Sequence, residues 1–227
     1  MKIVRILMMS AVLLGCGMLS VQAQSHTYYN TQHEVGISIG SGANSEILSG
    51  LSDFASTAVS ATVITAITGG AATGYYSYGD ESYIPTISAE YLYHVSKGVA
   101  LGGSFIFNGM SRDMYASWKN NVTGNSERTK TGKARRRNIS IMPMAKFDWL
   151  RKKCVGLYSK LGLGATFMHE SQKDDAPGGT DYSKTKVVAN FHVSLLGVEA
   201  GSEHVRAYAE LGMGEQGILL AGLKYKF

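Results

Sequence analysis

Eight segments of this chain alternate apolar and polar residues with a period of two, a pattern that a β-strand turns into two distinct faces. Reading odd-numbered positions, the first segment offers Val35, Ile37 and Ile39, the second runs from Tyr83 to Val95, and the third from Val99 to Phe107. The fourth carries Ile139, Ile141, Phe147 and Trp149, and the fifth Leu157, Leu161, Leu163 and Phe167. The last three are Val187 to Leu195, Val205 to Leu211 and Leu219 to Phe227. The even-numbered face differs in kind. It holds Glu34, Glu90, Lys146, Asp148, Lys160, Arg206, Glu210, Lys224 and Lys226 among Ser, Asn and Gly, interrupted by Met142, Met144, Leu196 and Val198. Strands of this type need two solvents. These are either a protein core and water, as in a soluble sandwich or barrel, or lipid outside and a polar interior.

The gaps between segments favour lipid. They are long after the first, third and fifth segments and short around Lys97, at "LRKKC" and at "AGSEH". Brief turns on one side and longer loops on the other match a membrane barrel with both ends on the periplasmic side. Tyr91, Tyr93, Trp149, Tyr225 and Phe227 gather at segment ends, where an interfacial girdle would lie. The abundance of Gly (27) and Tyr (13) against only 3 Pro also suits many strands. An export signal precedes them: Lys2 and Arg5, then "ILMMSAVLLGCGML", then "VQA" before Gln24. Residues 1–23 are expected to be cleaved and residues 24–227 to form the barrel domain; acylation of Cys16 within "LLGC" is the alternative. After cleavage at Ala23 the formal charge of +5 falls by two, to +3, and nothing in it demands nucleic acid. Cys154 is then the single mature cysteine, which excludes a disulfide framework or a Cys-based metal site within one chain.

The segments "VQAQ", "MPMAKFDWLRKKCVGLYSKLGLGA" and "VRAYAELGMGEQGILLAGLKYKF" are similar to the small outer-membrane β-barrel proteins of Gram-negative bacteria, the family called outer membrane protein beta-barrel domain. The resemblance implies an all-β, eight-stranded antiparallel transmembrane barrel, located in the outer membrane and surrounded by its lipid and lipopolysaccharide. It also implies that the last strand, ending on Phe227, is the assembly signal read by the barrel-insertion machinery. It is informative about place and fold and says little about activity. The expected role is structural or surface-interacting, as a monomer without cofactor, metal or nucleic-acid partner.

Eight strands enclose a space that side chains just fill, so the inward charges are expected to occlude the lumen, whether paired or hydrated. Glu34 and Lys226 lie on the segments that must meet at closure and are expected to approach one another in a partly hydrated setting. In the first long gap, Ile47, Leu48, Leu51, Phe54, Ala55, Ala58 and Val59 have helical spacing. A short helix is expected there, capped by Asn44 or Ser45, with Glu46 near its positive end. A β-rich tail to Ile67 and an aromatic loop tip, "TGGAATGYYSYGDESY", follow it. The helix either packs on the barrel mouth or lies in the outer leaflet, and scarce Lys and Arg argue against the leaflet.

The second long gap holds Arg128, Lys130, Lys133, Arg135, Arg136 and Arg137, read as an outer loop. Arg135, Arg136 and Arg137 are candidates for lipopolysaccharide phosphates, the plainer reading being a solvated charge run. "FHVS" places His192 and Ser194 on one face, resembling the His-x-Ser of outer-membrane lipid A deacylases. Alternation turns both inward, Leu195 stands where that family has Asn, and the spacing places no acid beside them. A lipid A-modifying esterase and a narrow channel are the alternative functions. His94, His169 and His204 show no metal-ligand spacing.

Overall fold

The structure, a computed structural model, describes residues 31–175 and 180–227, and of residues 48–53, 56 and 80 the backbone alone. The leader and Cys16 lie outside the described residues. Strands β1 (His33–Ser41), β2 (Ala72–His94), β3 (Val99–Asn120), β4 (Ser126–Arg151), β5 (Val155–Asp174), β6 (Tyr182–Gly201), β7 (Val205–Gly214) and β8 (Leu219–Lys226) pair in sequence order into a closed antiparallel barrel. Helix α1 (Asn44–Ile67) joins β1 to β2. The seam between β1 and β8 aligns Glu34 with Lys226, Ile37 with Leu223 and Gly40 with Leu220. It continues past β8, where His33 donates its backbone N–H to the Phe227 carbonyl at 2.8 Å and accepts from the Phe227 N–H at 2.9 Å.

The barrel is inverted relative to a water-soluble protein. Ile37, Ile141, Leu163 and Leu223 are 55–64% exposed on its outside, while Lys146, Lys160, Arg206 and Glu210 are among the least exposed side chains inside. From Ile139 to Phe147 the outward face of β4 is apolar over nine residues, roughly 27 Å along the strand at about 3.4 Å per residue. After tilting, that matches an apolar band of about 25 Å. Aromatic rings sit at the lower edge, where Phe227 stacks on His33 with ring centroids 5.1 Å apart and on Tyr225 at 5.7 Å.

Bulges change which parity faces inward. Between Ser194 and Leu196 one extra residue enters β6 opposite both β5 and β7. Below it Leu196 and Val198 point outward, 40% and 41% exposed, and Gly197 and Glu199 point inward. The two apparent apolar interruptions of the polar face, Leu196 and Val198, thus belong to the lipid-type face. A bulge at Trp149 in β4 likewise turns Arg151 inward, and makes Trp149 a half-buried bulge residue instead of a girdle residue. Gly197 lies against Tyr158, whose ring would sit 2.3 Å from any Cβ added there.

On the outer side the strands run further than alternation indicates. β2 to β6 continue past the barrel as a five-stranded wall, with a turn at 121–125 between β3 and β4. The expected aromatic loop tip is the start of β2, where Tyr75 pairs with Ser117 and Tyr78 with Met114. The expected basic loop is β4, with Arg136 opposite Met110 on one side and Glu170 on the other. Strands surrounded by water on both faces need no apolar side, so they lack the period that reveals a strand in sequence.

Helix α1 is also longer than expected, because Val59–Ile67 continues it. Ala43 occupies the N-cap position in place of Asn44 or Ser45. The first turn is held by Glu46, whose Oε2 accepts the N–H groups of Gly42 and Ala43 at 3.1 Å each and whose Oε1 accepts from the Thr86 hydroxyl at 3.2 Å. Ile47, Phe54 and Val59, from the expected packing stripe, are 52–74% exposed; the side chains of Leu48 and Leu51 lie outside the described set. The helix leans on the wall through another face: Ile64 and Trp118 close over Gly74, and Thr65 donates to Thr73 at 3.2 Å.

The two faces should answer a charge differently. Leu223→Arg is expected to destabilise the barrel by about 2 to 4 kcal/mol if it sits near the middle of the apolar band, while Leu223→Phe is nearly neutral. Gly222→Ala should instead fail by crowding, because its Cβ would lie 2.2 Å from the Ile37 carbonyl. Reversible denaturant unfolding from lipid vesicles measures all three, and equal tolerance of Leu223→Arg and Leu223→Phe would contradict the assignment of faces.

Candidate functional site

Three layers of polar side chains fill the barrel from the short-turn end upward. In the lowest, Glu34 and Glu199 are shared among cations from three strands, β4, β7 and β8. Lys146 lies 2.9 Å from Glu34, 3.1 Å from Asp148 and 3.6 Å from Glu199. Lys224 is 3.1 Å from Glu199 and 3.6 Å from Glu34. Lys226 is 2.9 Å from Glu34 and also pairs with Glu199. Arg206 donates to Glu199 at 2.6 Å and to the Lys152 and Lys153 carbonyls at 2.8 Å each, tying the β4–β5 turn to β7. His94 meets Glu34 at 2.7 Å, and Arg151 donates to the Thr31 carbonyl at 2.6 Å. Glu34 and Lys226 do meet at closure, and they are 2% and 1% exposed and belong to a network instead of forming an isolated pair.

The middle layer centres on Lys160, 2.7 Å from Glu90 and 2.6 Å from Glu210. Tyr158 donates to Glu210 at 2.7 Å and presents its ring to Lys146 and Lys224, at 4.5 and 4.4 Å from its centroid. Lys224 lies at 4.4 Å from the ring centroid of Tyr208 as well. These aromatic faces give the buried ammonium groups a second favourable neighbour. Removing one member of such a network leaves its partners charged and unpaired, which is the costly event in a buried ion cluster.

His192 and Ser194 belong to this layer. Ser194 Oγ is 2.9 Å from His192 Nε2 and donates to Glu210. The acid that sequence spacing did not place is thus supplied by β7. An activated serine needs the acid on the far nitrogen of the histidine. Here Glu210 accepts the hydrogen bond of the serine hydroxyl directly, its Oε2 is 3.9 Å from His192 Nε2, and His192 Nδ1 has no hydrogen-bond partner among the described residues. Both His192 and Ser194 are fully buried, facing away from the apolar surface.

The top layer contains the interior groups that sequence reasoning missed. The β7–β8 turn dips into the barrel between Gly214 and Gly217, whose φ values of 136° and 112° disfavour other residues. It inserts Glu215 and Gln216, 0% and 1% exposed. Among the described residues, Glu215 forms no salt bridge. Its carboxylate accepts from the Ser45 backbone N–H (3.1 Å) and hydroxyl (2.8 Å), and from Asn108 (3.2 Å), Ser140 (3.2 Å) and Asn190 (2.7 Å). The Ser45 N–H is in the first turn of α1, where unpaired amides favour an anion. Gln216 donates to Ser104 at 2.8 Å. Turn and helix start therefore close the outer mouth together. The short "GEQG" between β7 and β8 carries no sequence signal of this inward fold beyond its two glycines.

Above the mouth, the wall separates the basic run. Arg136 faces the concave side and pairs with Glu170, which Lys186 also approaches at 3.6 Å. Burial opposes the charge on Glu170, but Arg136 and Lys186 outweigh it and hold the carboxyl below its ordinary range. Burial, with Arg136 nearby, draws the Arg112 guanidinium down to about 10, and it lies over the Tyr78 ring at 3.6 Å. Arg135 and Arg137 point to the other side and are exposed. Among the described residues, no group of three or more His, Cys, Asp or Glu is arranged to hold a metal ion, and Cys154 is a free, exposed thiol on the β4–β5 turn.

No protein-family model matches the chain, and no curated protein matches it. Among solved structures, Ail, the attachment invasion locus protein of Yersinia pestis, determined with the heparin analogue sucrose octasulfate, is similar over 86% of this chain and 99% of its own. Identity is 13% and the TM-score 0.41.

Glu215→Ala should unseat the start of α1, because five donors lose their common acceptor. Backbone hydrogen exchange across 44–50 is expected to rise by at least about tenfold, equivalent to roughly 1.4 kcal/mol of local opening, while β1 to β8 stay protected. Unchanged exchange would show that Glu215 does not hold the helix. Lys160→Met should be destabilising by about 3 to 5 kcal/mol as a single change. Adding Glu90→Gln and Glu210→Gln should restore part of that loss in the same unfolding assay.

Proposed function

We propose that this protein is a transmembrane β-barrel of the outer membrane with a structural or surface-interaction role, carried by the wall of β2–β6 and by α1, and without enzymatic activity. The observation that supports it most is the inversion of polarity: an apolar outside one bilayer tall around an interior of ions and hydrogen-bonded amides. Water would be a poor solvent for that exterior, and hydrocarbon tolerates the strands because closure satisfies every ladder hydrogen bond. The interior supports occlusion over conduction, since Lys160, Glu210, His192 and Lys146 are all fully or nearly fully buried. The esterase alternative is disfavoured by the burial of Ser194 and by the position of Glu210 on the serine side of His192.

In this reading the leader 1–23 directs export, and the barrel-insertion machinery engages β8. Phe227 contributes to that step through its place at the seam, where its backbone bonds His33 and its ring stacks on His33. The barrel acts as a monomer.

The wild-type protein should fractionate with the outer membrane and migrate as a compact, heat-modifiable species on a gel. Phe227→Ala should slow appearance of that species without changing its final mobility. Planar bilayers containing the purified barrel should show no discrete conductance steps. Recovery of the intact protein in the soluble periplasmic fraction would sink the proposal, and regular conductance steps would replace it with the channel reading.

A further inference from the structure

The outward face of the wall changes character within one rung of the apolar band. The last apolar rung is Phe107 on β3, Ile139 on β4, Phe167 on β5 and Val187 on β6, joined by direct pairing. The next rung outward on the same face pairs Arg137 with His169, the one after it Arg135 with Ser171, and the third Lys133 with Lys173. No register shift interrupts β4 against β5 between these rungs and Ile139, so all of them share the lipid-facing side. Arg137, Arg135, Lys133, Lys173 and His169 are exposed, and the two arginines and two lysines form no ion pair with any described carboxylate. The carboxylate beside this face, Asp113 on β3 opposite Lys133, is taken by Lys130.

We propose that this ladder of β4 and β5 is a lipid-phosphate site, which takes the phosphate groups of outer-leaflet lipopolysaccharide against the barrel wall; it rests on the outer-membrane reading above. Three features favour that ligand over a free anion. The cations begin where the apolar band ends, so a lipid whose acyl chains lie on Ile139 and Phe167 carries its head group to Arg137 and Arg135. Neighbouring rungs on one face are separated by roughly 7 Å and paired residues by about 5 Å, a grid wide enough for several phosphate oxygens at once. The strands set both arginines on one face at fixed spacing, and their guanidinium groups match the oxygens of a phosphate. Arg136 is excluded from the site because it faces the concave side and serves Glu170. The site therefore consists of alternate members of the basic run, completed by β5.

The test uses the full-length barrel reconstituted in vesicles, with lipopolysaccharide binding followed by the amount retained after washing. Three lipids are compared: intact lipopolysaccharide, enzymatically dephosphorylated lipopolysaccharide, and phosphatidylglycerol. Arg135→Gln with Arg137→Gln should weaken binding of the intact lipid by roughly 25-fold, about fivefold for each cation lost near an anionic surface, and should flatten its salt dependence. The paired control Lys184→Gln with Lys186→Gln removes the same charge from the other face of the wall and should leave binding within about twofold. Equal losses in both double variants would mean that general charge is responsible and would overturn the site, as would equal affinity for the dephosphorylated lipid. Displacement by millimolar inorganic phosphate would overturn the lipid assignment in favour of a free-anion site. Heat modifiability of each variant is measured in parallel, so failure of the barrel to insert, which would count against the outer-membrane reading, is distinguishable from failure of the lipid to bind.

Discussion

A ring of eight strands encloses a space that side chains fill, so each inward residue must be satisfied by other inward residues and not by solvent. With the outside given over to apolar side chains, the inward set is necessarily the polar one. This is why the interior is a network and not a collection of pairs: Glu34 and Glu199 each receive several cations, and Lys160 serves two carboxylates. The network also ties strands that are distant in sequence. Glu34 on β1 meets Lys146 on β4 and Lys226 on β8, so the closing seam is held by side chains across the lumen as well as by its own ladder. Buried ion clusters are not strongly stabilising by themselves. Their effect here is to penalise any strand register that would leave one charge without its partners.

The barrel was legible in the sequence because lipid and lumen impose opposite chemistries on successive residues. Wherever that contrast operates, as in β1 or β8, the alternation names the face of each side chain, and closure alone brings Glu34 to Lys226. The reading lost accuracy where a bulge shifts parity, which is how Glu199 and Arg151 were omitted from the inward charges. It failed above the membrane rim, where water bathes both sides of the wall and a strand such as Ser126–Lys133 has no apolar face to show. Glu215 was missed for a different reason: a turn that folds inward is specified by the backbone freedom of Gly214 and Gly217 and by donors on four other segments, none of which is local to it.

The wall and the barrel divide the work between them. The lumen of the buried body is filled by its polar side chains, and its closed outer mouth is shared between the β7–β8 turn and the first turn of α1. The wall rises on the side away from β1, β7 and β8 and presents two dissimilar surfaces. Its concave side is occupied by α1 and by the Arg136, Glu170 and Lys186 cluster, whereas its convex side continues the lipid-facing surface outward. Specificity can thus vary on the wall without disturbing the ionic interior.

The interior charges cancel in number but not in position. Counting carboxylates against lysines and arginines, Glu34, Asp148 and Glu199 lie at the short-turn end with Lys146, Lys224, Lys226, Arg206 and Arg151, whereas Glu90, Glu210 and Glu215 lie toward the outer mouth with Lys160. The lower half therefore has two positive charges in excess and the upper half two negative ones. Low-dielectric surroundings screen such a separation weakly. The barrel is in effect an electric dipole fixed along the membrane normal. Its two ends accordingly differ in charge as well as in shape, and turning the barrel over would exchange them.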